Sequence, residues 1–264
     1  MTTGSVSTVP FPVYLKDSAI SASGLKIIQK CGPQVYWSLC MDPDRIATPP
    51  TAAMLFGTFI HTALLEPTEL AERYMQCGPR NTKAGKEEAL YIKSRGMQAV
   101  NPSDWKLMED IVESVLGRPE AAKYLESDLA LTESSYWWED EKTGLNCKAR
   151  ADLVLGDTIV DLKTCAGPAT PKEFAKTVFN FGYHLQAAHY LRGVGAKRFV
   201  FLVVEKTYPF SVGLFELDQD AIDLGNEQID QGLALIAECH RQGEWPGYAD
   251  EISTISLPRW AFYK

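Results

Sequence analysis

Residues 150–164 read RADLVLGDTIVDLKT, and this stretch decides the fold. Two apolar runs flank the dipeptide Gly156-Asp157, which is typical of the tight turn of a β-hairpin. If those two residues form the loop, counting outward along both strands places Asp152 opposite Asp161. The sequence therefore predicts a hairpin in which two carboxylates face each other across the strands.

The two faces of this hairpin differ in chemistry. Side chains alternate along a strand, so Asp152, Asp161 and Lys163 emerge together on one face. The opposite face is apolar and comprises Leu153, Leu155, Val160 and Leu162. Like charges directly opposite each other destabilise an antiparallel pair, and one of the two pKa values rises unless a cation lies between them. This pattern favours a functional site over a solvated surface hairpin.

Mg²⁺ suits such a pair of carboxylates. It prefers oxygen ligands, keeps several waters, and often binds one or two carboxylates together with a substrate phosphate. Lys163 would lie beside the metal, where an ammonium can orient a water and offset negative charge that develops on a phosphoryl group. The pattern therefore indicates chemistry at a phosphate ester.

These residues also form a known motif. Asp152, followed after the hairpin by Asp161-Leu162-Lys163, resembles the signature of the PD-(D/E)XK nucleases, with Asp at the second acidic position. Residues 186–190, QAAHY, resemble the QxxxY motif of the RecB-like branch of that superfamily. The hairpin pattern alone is short, so the second motif strengthens the resemblance considerably.

Three further segments extend the resemblance over most of the chain. Residues 57–61, GTFIH, followed by residues 63–67, ALLEP, resemble the upstream histidine motif of the RecB-like branch. Residues 82–86, TKAGK, and residues 257–261, LPRWA, are similar to the nuclease domain of RecE (exodeoxyribonuclease VIII) of phages and prophages. The segments follow one another in the order that this family has.

The resemblance implies a set of metal ligands. Asp152 and Asp161 would bind Mg²⁺, with Mn²⁺ as a substitute, and the Leu162 backbone carbonyl is the further ligand of the family. His61 is a candidate third side-chain ligand, because neutral imidazole can fill that role. Glu133, on a neighbouring strand, is a further candidate, as an acid there serves related exonucleases. A lone histidine on a helix is otherwise usually a core residue.

The resemblance also implies the catalytic roles. Lys163 would position the attacking water, and Gln186 and Tyr190 would orient Lys163 and the DNA strand. Gln186 and Tyr190 lie four residues apart, so they share one face of a predicted helix. Without the hairpin acids, the same spacing would indicate only an amphipathic helix with an interface tyrosine.

Composition limits the class of protein. The chain has 264 residues, 45% of them hydrophobic and 23% charged, as an ordinary globular protein does. Its six cysteines include no CxxC pair, which argues against a zinc ribbon, a secreted disulfide framework and the iron–sulfur branch of RecB-like nucleases. No signal peptide or apolar run of membrane-spanning length is recognisable. We expect a cytoplasmic protein of a bacterial or phage-infected cell, without a membrane partner.

The formal net charge of −8 is unusual for a DNA-binding protein, because Lys and Arg that neutralise phosphates normally supply the affinity. A local basic surface on an acidic body is therefore expected. The candidates are Ser23 and Lys26, near the N-terminus of a predicted helix, and Arg80, Lys83 and Lys86, in a charged segment near Gly85. The alternatives for these two groups are an ordinary helix cap and a solvated helix.

The pattern of hydrophobic residues predicts α/β (α+β) architecture, with a mixed central β-sheet and flanking helices. We expect one domain over residues 1–264, with an N-terminal helical region at about 20–126 and a catalytic core at about 130–245. From residue 130, three consecutive antiparallel strands are expected. Residues 198–205 read as a buried central strand, and residues 209–216 as its antiparallel partner.

Helix boundaries follow from capping residues. Ser21 or Ser23 can cap the first long helix, Thr51 precedes a helix that ends at Pro67, and Ser103 is the predicted N-cap of a helix that continues to Leu116. A long helix is expected over residues 218–242.

Resemblance to RecE implies more about substrate and assembly. Linear double-stranded DNA would be degraded from a 5′ end to leave single strands for recombination. The subunits would form a homo-oligomeric ring, for instance a tetramer, with a single-strand annealing recombinase as partner. Two other classes stay open: a PD-(D/E)XK fold that only binds nucleic acid or protein, and a metal phosphohydrolase acting on small phosphate esters.

Overall fold

The computed structural model describes residues 5–7, 9–46, 49–249 and 251–262. The strands are β1 (Ser5–Ser7), β2 (Tyr74–Gln76), β3 (Gln98–Val100), β4 (Leu131–Glu139), β5 (Asn146–Leu155), β6 (Thr158–Cys165), β7 (Arg198–Glu205) and β8 (Val212–Glu216). The helices are α1 (Phe11–Lys16), α2 (Ala22–Cys31), α3 (Pro33–Tyr36), α4 (Ala52–Leu65), α5 (Pro67–Arg73), α6 (Lys83–Ser94), α7 (Pro102–Leu116), α8 (Pro119–Leu125), α9 (Pro171–Phe181), α10 (Tyr183–Val194) and α11 (Gln219–Gln242). A π-helical turn (Trp37–Met41) and a 3₁₀ turn (Arg259–Phe262) complete the elements.

The main sheet has six strands in the order β1-β4-β5-β6-β7-β8. Strands β6 and β7 run parallel, and the other neighbours are antiparallel. The parallel pair is joined by α9 and α10, since a parallel connection needs a long crossover. The mixed sheet with flanking helices and the three consecutive antiparallel strands are confirmed. Strand β1, drawn from the first residues of the chain, extends the sheet beyond the predicted strands.

Two hydrophobic cores cover the two faces of the sheet. The first packs α2, α10 and α11 onto one face, and the second packs α4, α7 and α8 onto the other. Strand β7 contributes to both, with alternate residues in each core, as a buried central strand must. The predicted apolar face of the hairpin also lies in the second core, through Leu153, Val160 and Leu162 and, partly buried, Leu155.

The hairpin pairs as predicted only near its turn. Leu155 faces Thr158, Val154 faces Ile159 and Leu153 faces Val160. The register ends there, so the predicted direct pairing of Asp152 with Asp161 is wrong. The backbone N–H of Leu162 instead donates to the Asp152 carboxylate, at 2.8 Å.

The reason lies in a change of side-chain alternation at Asp152. Ala149 and Ala151 belong to the first core, but Leu153 belongs to the second, so the strand shifts phase between them. On the neighbouring strand β4, Thr132 pairs with Leu153 and Ser134 with Ala151, while Glu133 between them has a left-handed backbone with φ 49°. A non-glycine residue in this region costs on the order of 1–3 kcal/mol. The regular pairing of β5 with β6 therefore ends at Asp152. The strained residue, Glu133, lies on the adjacent strand β4.

One predicted helix cap is wrong, and one of two alternative caps is confirmed. Asn101, rather than Ser103, caps α7, because its side chain accepts from the Asp104 N–H. Ser21, and not Ser23, caps α2. Gly85 is buried inside α6, where an added Cβ would lie 2.2 Å from the Pro79 carbonyl oxygen, so it serves close packing.

The cysteines and the apolar character of the helices bear on the class of protein. All six cysteines are free thiols. None of the helices in the described ranges has both the length and the apolar character needed to cross a membrane.

Candidate active site

His61 reaches the site from α4. Thr51 caps this helix, and the apolar residues on either side of His61 are buried in the second core. The imidazole itself is 26% exposed, and its Nδ1 lies 3.7 Å from an Asp152 carboxylate oxygen. A backbone hydrogen bond also links it to Leu162 of β6. The packing of α4 thus fixes the histidine against the open end of the hairpin.

Glu133 and Asp152 complete a group of three potential ligands. One ligand atom from each of His61, Glu133 and Asp152 lies within 4.8 Å of the other two. Glu133 also accepts from the Arg150 guanidinium, at 2.8 Å. The strained backbone at Glu133 and the phase shift at Asp152 bring these two acids together.

The electrostatics of this group are unfavourable without a cation. Burial, and then the nearby Asp161 carboxylate, raise the pKa of Asp152 to about 7. Burial, and then Asp152, also raise the pKa of Glu133. Burial, and then Lys163, lower the pKa of His61, so its imidazole is neutral at pH 7. A divalent cation would relieve the repulsion and use all three donors.

Asp161 lies next to this group but is bound differently. Its side chain is almost fully buried, and Oδ1 accepts from Gln186 Nε2 at 2.8 Å. Its Oδ2 forms an ion pair with Lys163 but receives no hydrogen bond of good geometry among the described residues. Lys163 compensates the charge of this oxygen, and Asp161 is not one of the three residues that converge.

Lys163 is held by two neighbours. It contacts Asp161, and its ammonium lies 5.0 Å from the centre of the Tyr183 ring. Burial alone would lower the pKa of Lys163, but Asp161 and Asp152 outweigh it and raise that pKa above its usual value. Lys163 is therefore charged at neutral pH, beside the candidate metal ligands.

The two residues of the QxxxY pattern have different surroundings. Gln186 links a carboxylate to an ammonium group. Its amide donates to Asp161 and accepts from Lys26 Nζ at 3.2 Å. Tyr190 packs its ring on Phe199, at 6.0 Å, and has a backbone hydrogen bond with Arg150. Gln186 thus orients the Asp161–Lys163 pair, whereas Tyr190 supports the neighbouring strand.

The group of His61, Glu133 and Asp152 opens into a cleft of about 1420 Å³. His61, Glu133, Asp152, Gln186 and Tyr190 all line it, and so does Ser23 near the start of α2. Lys83 and Lys86 lie within α6, and Arg80 precedes it. All three residues are exposed, and none of them lines this cleft. Their predicted contact with DNA therefore stays a prediction.

Sequence reasoning missed Arg150 and Tyr183. Arg150 donates to Glu133, to Ser135 Oγ and to the Val9 carbonyl, so it ties one ligand to the N-terminal segment. The position of Arg150, two residues before Asp152, could have indicated that it lies near the site. Tyr183 lies three residues before Gln186, which places both on one helix face and could have revealed it.

The donor set fits a hard divalent cation. Two carboxylates and a neutral imidazole converge at the cleft, and a third carboxylate, that of Asp161, lies beside them. The carboxylate oxygens suit Mg²⁺ or Mn²⁺, whereas an imidazole ligand is more typical of later transition metals.

Solved structures resemble the chain in fold. A protein of Eubacterium rectale, provisionally described as an exonuclease, has a TM-score of 0.67 with 15% identity over 97% of this chain and 98% of its own. An alkaline exonuclease from Laribacter hongkongensis has a TM-score of 0.31 with 13% identity over 61% of this chain and 84% of its own, too little similarity for an argument. No curated protein matches the chain.

A family model covers most of the sequence. The model for the PDDEXK-like domain of unknown function (DUF3799) matches residues 21–258. This range includes the ligand candidates His61, Glu133, Asp152, Asp161 and Leu162, and the helices α4 and α10. This span agrees with the fold and with the place of the acids on β5 and β6. The chain therefore belongs to this PDDEXK-like family.

Proposed function

We propose that the protein is a Mg²⁺-dependent deoxyribonuclease that degrades linear double-stranded DNA from a 5′ end. The observation that carries this proposal is the convergence of His61, Glu133 and Asp152 beside the buried Asp161–Lys163 pair. Carboxylates and a neutral imidazole that line one cleft, with an ammonium group beside them, suit hydrolysis of a phosphodiester.

His61, Glu133 and Asp152 would hold the metal, with Asp161 and the Leu162 carbonyl as further ligands. When bound, Mg²⁺ or Mn²⁺ supplies Lewis acidity toward the phosphate and lowers the pKa of a water. The neutral imidazole and the ionised carboxylates bind a cation best, so the lowered pKa of His61 favours binding at neutral pH.

Lys163 would orient the attacking water and stabilise negative charge on the phosphate. Its ammonium is held against Asp161, which is in turn held by Gln186. A fixed donor of this kind loses little on reaching the transition state, because it is already in place. Tyr190 would act indirectly, by holding the strand that carries Arg150 and Asp152.

An end-dependent mode of action is supported by sequence and charge. The motifs resembling RecE, and the Eubacterium rectale protein of similar fold described as an exonuclease, favour cleavage from DNA ends. A chain with a net charge of −8 repels a duplex over most of its surface. A ring of several subunits, with Arg80, Lys83 and Lys86 toward the DNA, would enclose the duplex. The single strands produced would pass to an annealing recombinase.

One digestion tests this proposal against its alternatives. The substrate is linear duplex labelled at either the 5′ or the 3′ end, with a closed circle as control, with and without Mg²⁺. We expect early release of the 5′ label only with Mg²⁺, and an intact circle. Cleavage of the circle would contradict the end dependence. No cleavage of any DNA would favour a binding module, or a phosphohydrolase if a small phosphate ester is hydrolysed instead.

A further inference from the structure

Two lysines from different elements share one aromatic ring. The Lys26 ammonium of α2 lies 5.1 Å from the centre of the Tyr183 ring, and the Lys163 ammonium of β6 lies 5.0 Å from it. The ring is itself fixed, because it packs against Phe174 at 6.4 Å and Phe201 at 5.9 Å in the first core. Tyr183 therefore determines where both ammonium groups lie.

Lys26 is held by two further contacts. Its Nζ donates to Gln186 Oε1 at 3.2 Å. Its methylene groups lie against Gly182, where an added Cβ would be 3.4 Å from Lys26 Cγ. Gly182 has φ 63° and joins α9 to α10, so the helix junction provides the surface for this side chain.

The charges of the two lysines are compensated unequally. Lys163 is paired with Asp161, whereas the close contacts described for Lys26 are with a neutral amide and a neutral ring. Burial, and then Lys163, lower the pKa of Lys26 to about 8. Lys26 is nevertheless mainly charged at pH 7, and no carboxylate of the described residues is in hydrogen-bond contact with it.

We infer that Tyr183 is a positioning residue that holds Lys26 and Lys163 as a two-cation clamp for one phosphate group of a DNA strand. The inference rests on the proposed function, and it adds a subsite beside the metal ligands. A phosphate suits the clamp because its oxygens accept from both ammonium groups and its charge relieves their repulsion. Gln186 connects the clamp to Asp161.

The test is duplex binding in EDTA, so that no cleavage is needed. Affinity of a fluorescent linear duplex is measured by anisotropy at several salt concentrations for wild type, Lys26→Met, Tyr183→Leu, Tyr183→Phe and the Lys26→Met/Tyr183→Leu double variant. Loss of one phosphate contact weakens binding about tenfold at low salt and lowers the salt slope by about 1.

We expect Lys26→Met and Tyr183→Leu each to show this loss, and Tyr183→Phe to bind as wild type because it keeps the ring. The double variant should be no weaker than Tyr183→Leu alone, since Lys26 contributes only while Tyr183 holds it in place. Lys123→Met is the matched control: its ammonium lies 5.0 Å from the Tyr124 ring, on α8, and its loss should change nothing.

The pH dependence gives a readout that a purely structural role would not produce. Wild-type affinity should fall as pH rises through about 8, because Lys26 loses its charge there. The charged or titratable groups that face Lys26 are Lys163 and Asp161 on β6 and Tyr183 on α10; the pKa values of Lys163 and Tyr183 are raised, so both keep their neutral-pH states. Lys26→Met should remove this fall.

The outcomes separate the clamp from the proposed function. An unchanged salt slope in Lys26→Met overturns the clamp, and this variant decides the matter even if Tyr183→Leu does not fold. A Tyr183→Phe variant as weak as Tyr183→Leu, or additive losses in the double variant, would also overturn it. The expected binding pattern without cleavage in Mg²⁺ would contradict the nuclease and leave the clamp standing.

Discussion

The two ends of the β5–β6 hairpin are made from the same two strands but have opposite roles. At the turn, three residue pairs face each other in regular register, and their side chains enter the two cores. At the other end, β5 shifts phase at Asp152, β4 is strained at Glu133, and three potential ligands meet. Regular pairing builds stability, and its interruption provides a place where side chains from three elements can converge.

The largest expected effect concerns the lysine at the open end. Lys163→Ala should lower the rate of DNA cleavage by about 10²–10³, as loss of one well-placed donor does in other enzymes. Metal affinity should be retained, because the ligands remain. Initial rates of duplex digestion measure the effect, and Mn²⁺ titration checks the ligands.

Lys197 supplies the matched control at the turn end. It pairs with Asp157 at 3.2 Å, and it is well exposed. Lys197→Ala should leave the cleavage rate unchanged. If Lys163→Ala cleaves DNA at the wild-type rate, Lys163 is not required for catalysis at the open end of the hairpin.

The turn end should respond in stability instead. Leu153 is fully buried in the second core, so Leu153→Ala should cost about 2–5 kcal/mol of unfolding free energy. Urea unfolding followed by circular dichroism measures this loss. The fraction that stays folded should still bind Mn²⁺. A cost below about 1 kcal/mol would mean that this end is not the packed part of the hairpin.

Removal of the imidazole should weaken metal binding without unfolding the chain. We expect His61→Ala to lower Mn²⁺ affinity about tenfold, because one of three nitrogen and oxygen donors is lost. In wild type, affinity should also fall when the pH drops below the usual range of a histidine, because the pKa of His61 is lowered. Insoluble, misfolded His61→Ala protein would instead indicate a core histidine.

The smallest effect concerns the acid that interrupts the pairing. The pKa of Asp152 is raised to about 7, so the folded state binds this proton more tightly than the unfolded state does. The contribution of Asp152 to metal-free stability should therefore be fully present below about pH 4 and be lost as the pH rises through about 7. Asp152→Asn should remove this dependence of stability on pH. It should also stabilise the apo protein at pH 8 by on the order of 1 kcal/mol, a value kept small because 17% of the side chain is exposed to solvent. Melting at pH 4.5 and 8 in EDTA tests the sign; equal melting temperatures of both proteins at pH 8 would contradict it.

Much of this arrangement could be predicted from the sequence. The Gly156-Asp157 turn, the apolar alternation and the long run of β7 defined the central strands. His61, Glu133 and Asp152 were identified as candidates, and the structure brings them together. The register at Asp152 could not be predicted, because counting from the turn assumes unbroken alternation. No residue near Glu133 in sequence indicates its left-handed backbone.

Contacts between distant segments were also beyond the sequence. Lys26 precedes Gln186 by 160 residues, and only the packing of α2 on α10 brings the two together. The capping of α7 by Asn101 shows a smaller limit, since Asn and Ser both cap helices and local sequence does not choose between them. The placement of Arg80, Lys83 and Lys86 relative to DNA depends on an assembly of subunits.

The most direct test of the central claim is calorimetric titration of Mn²⁺ at pH 6.5 and 8.5, in two buffers with different enthalpies of ionisation. The open end of the hairpin should bind the cation and release a substantial fraction of a proton at pH 6.5, because the raised pKa of Asp152 leaves its carboxyl largely protonated there. Less proton should be released at pH 8.5, and Asp152→Asn should bind far more weakly at both. Wild-type protein that binds no Mn²⁺, or an Asp152→Asn variant that binds it equally well, would contradict the account.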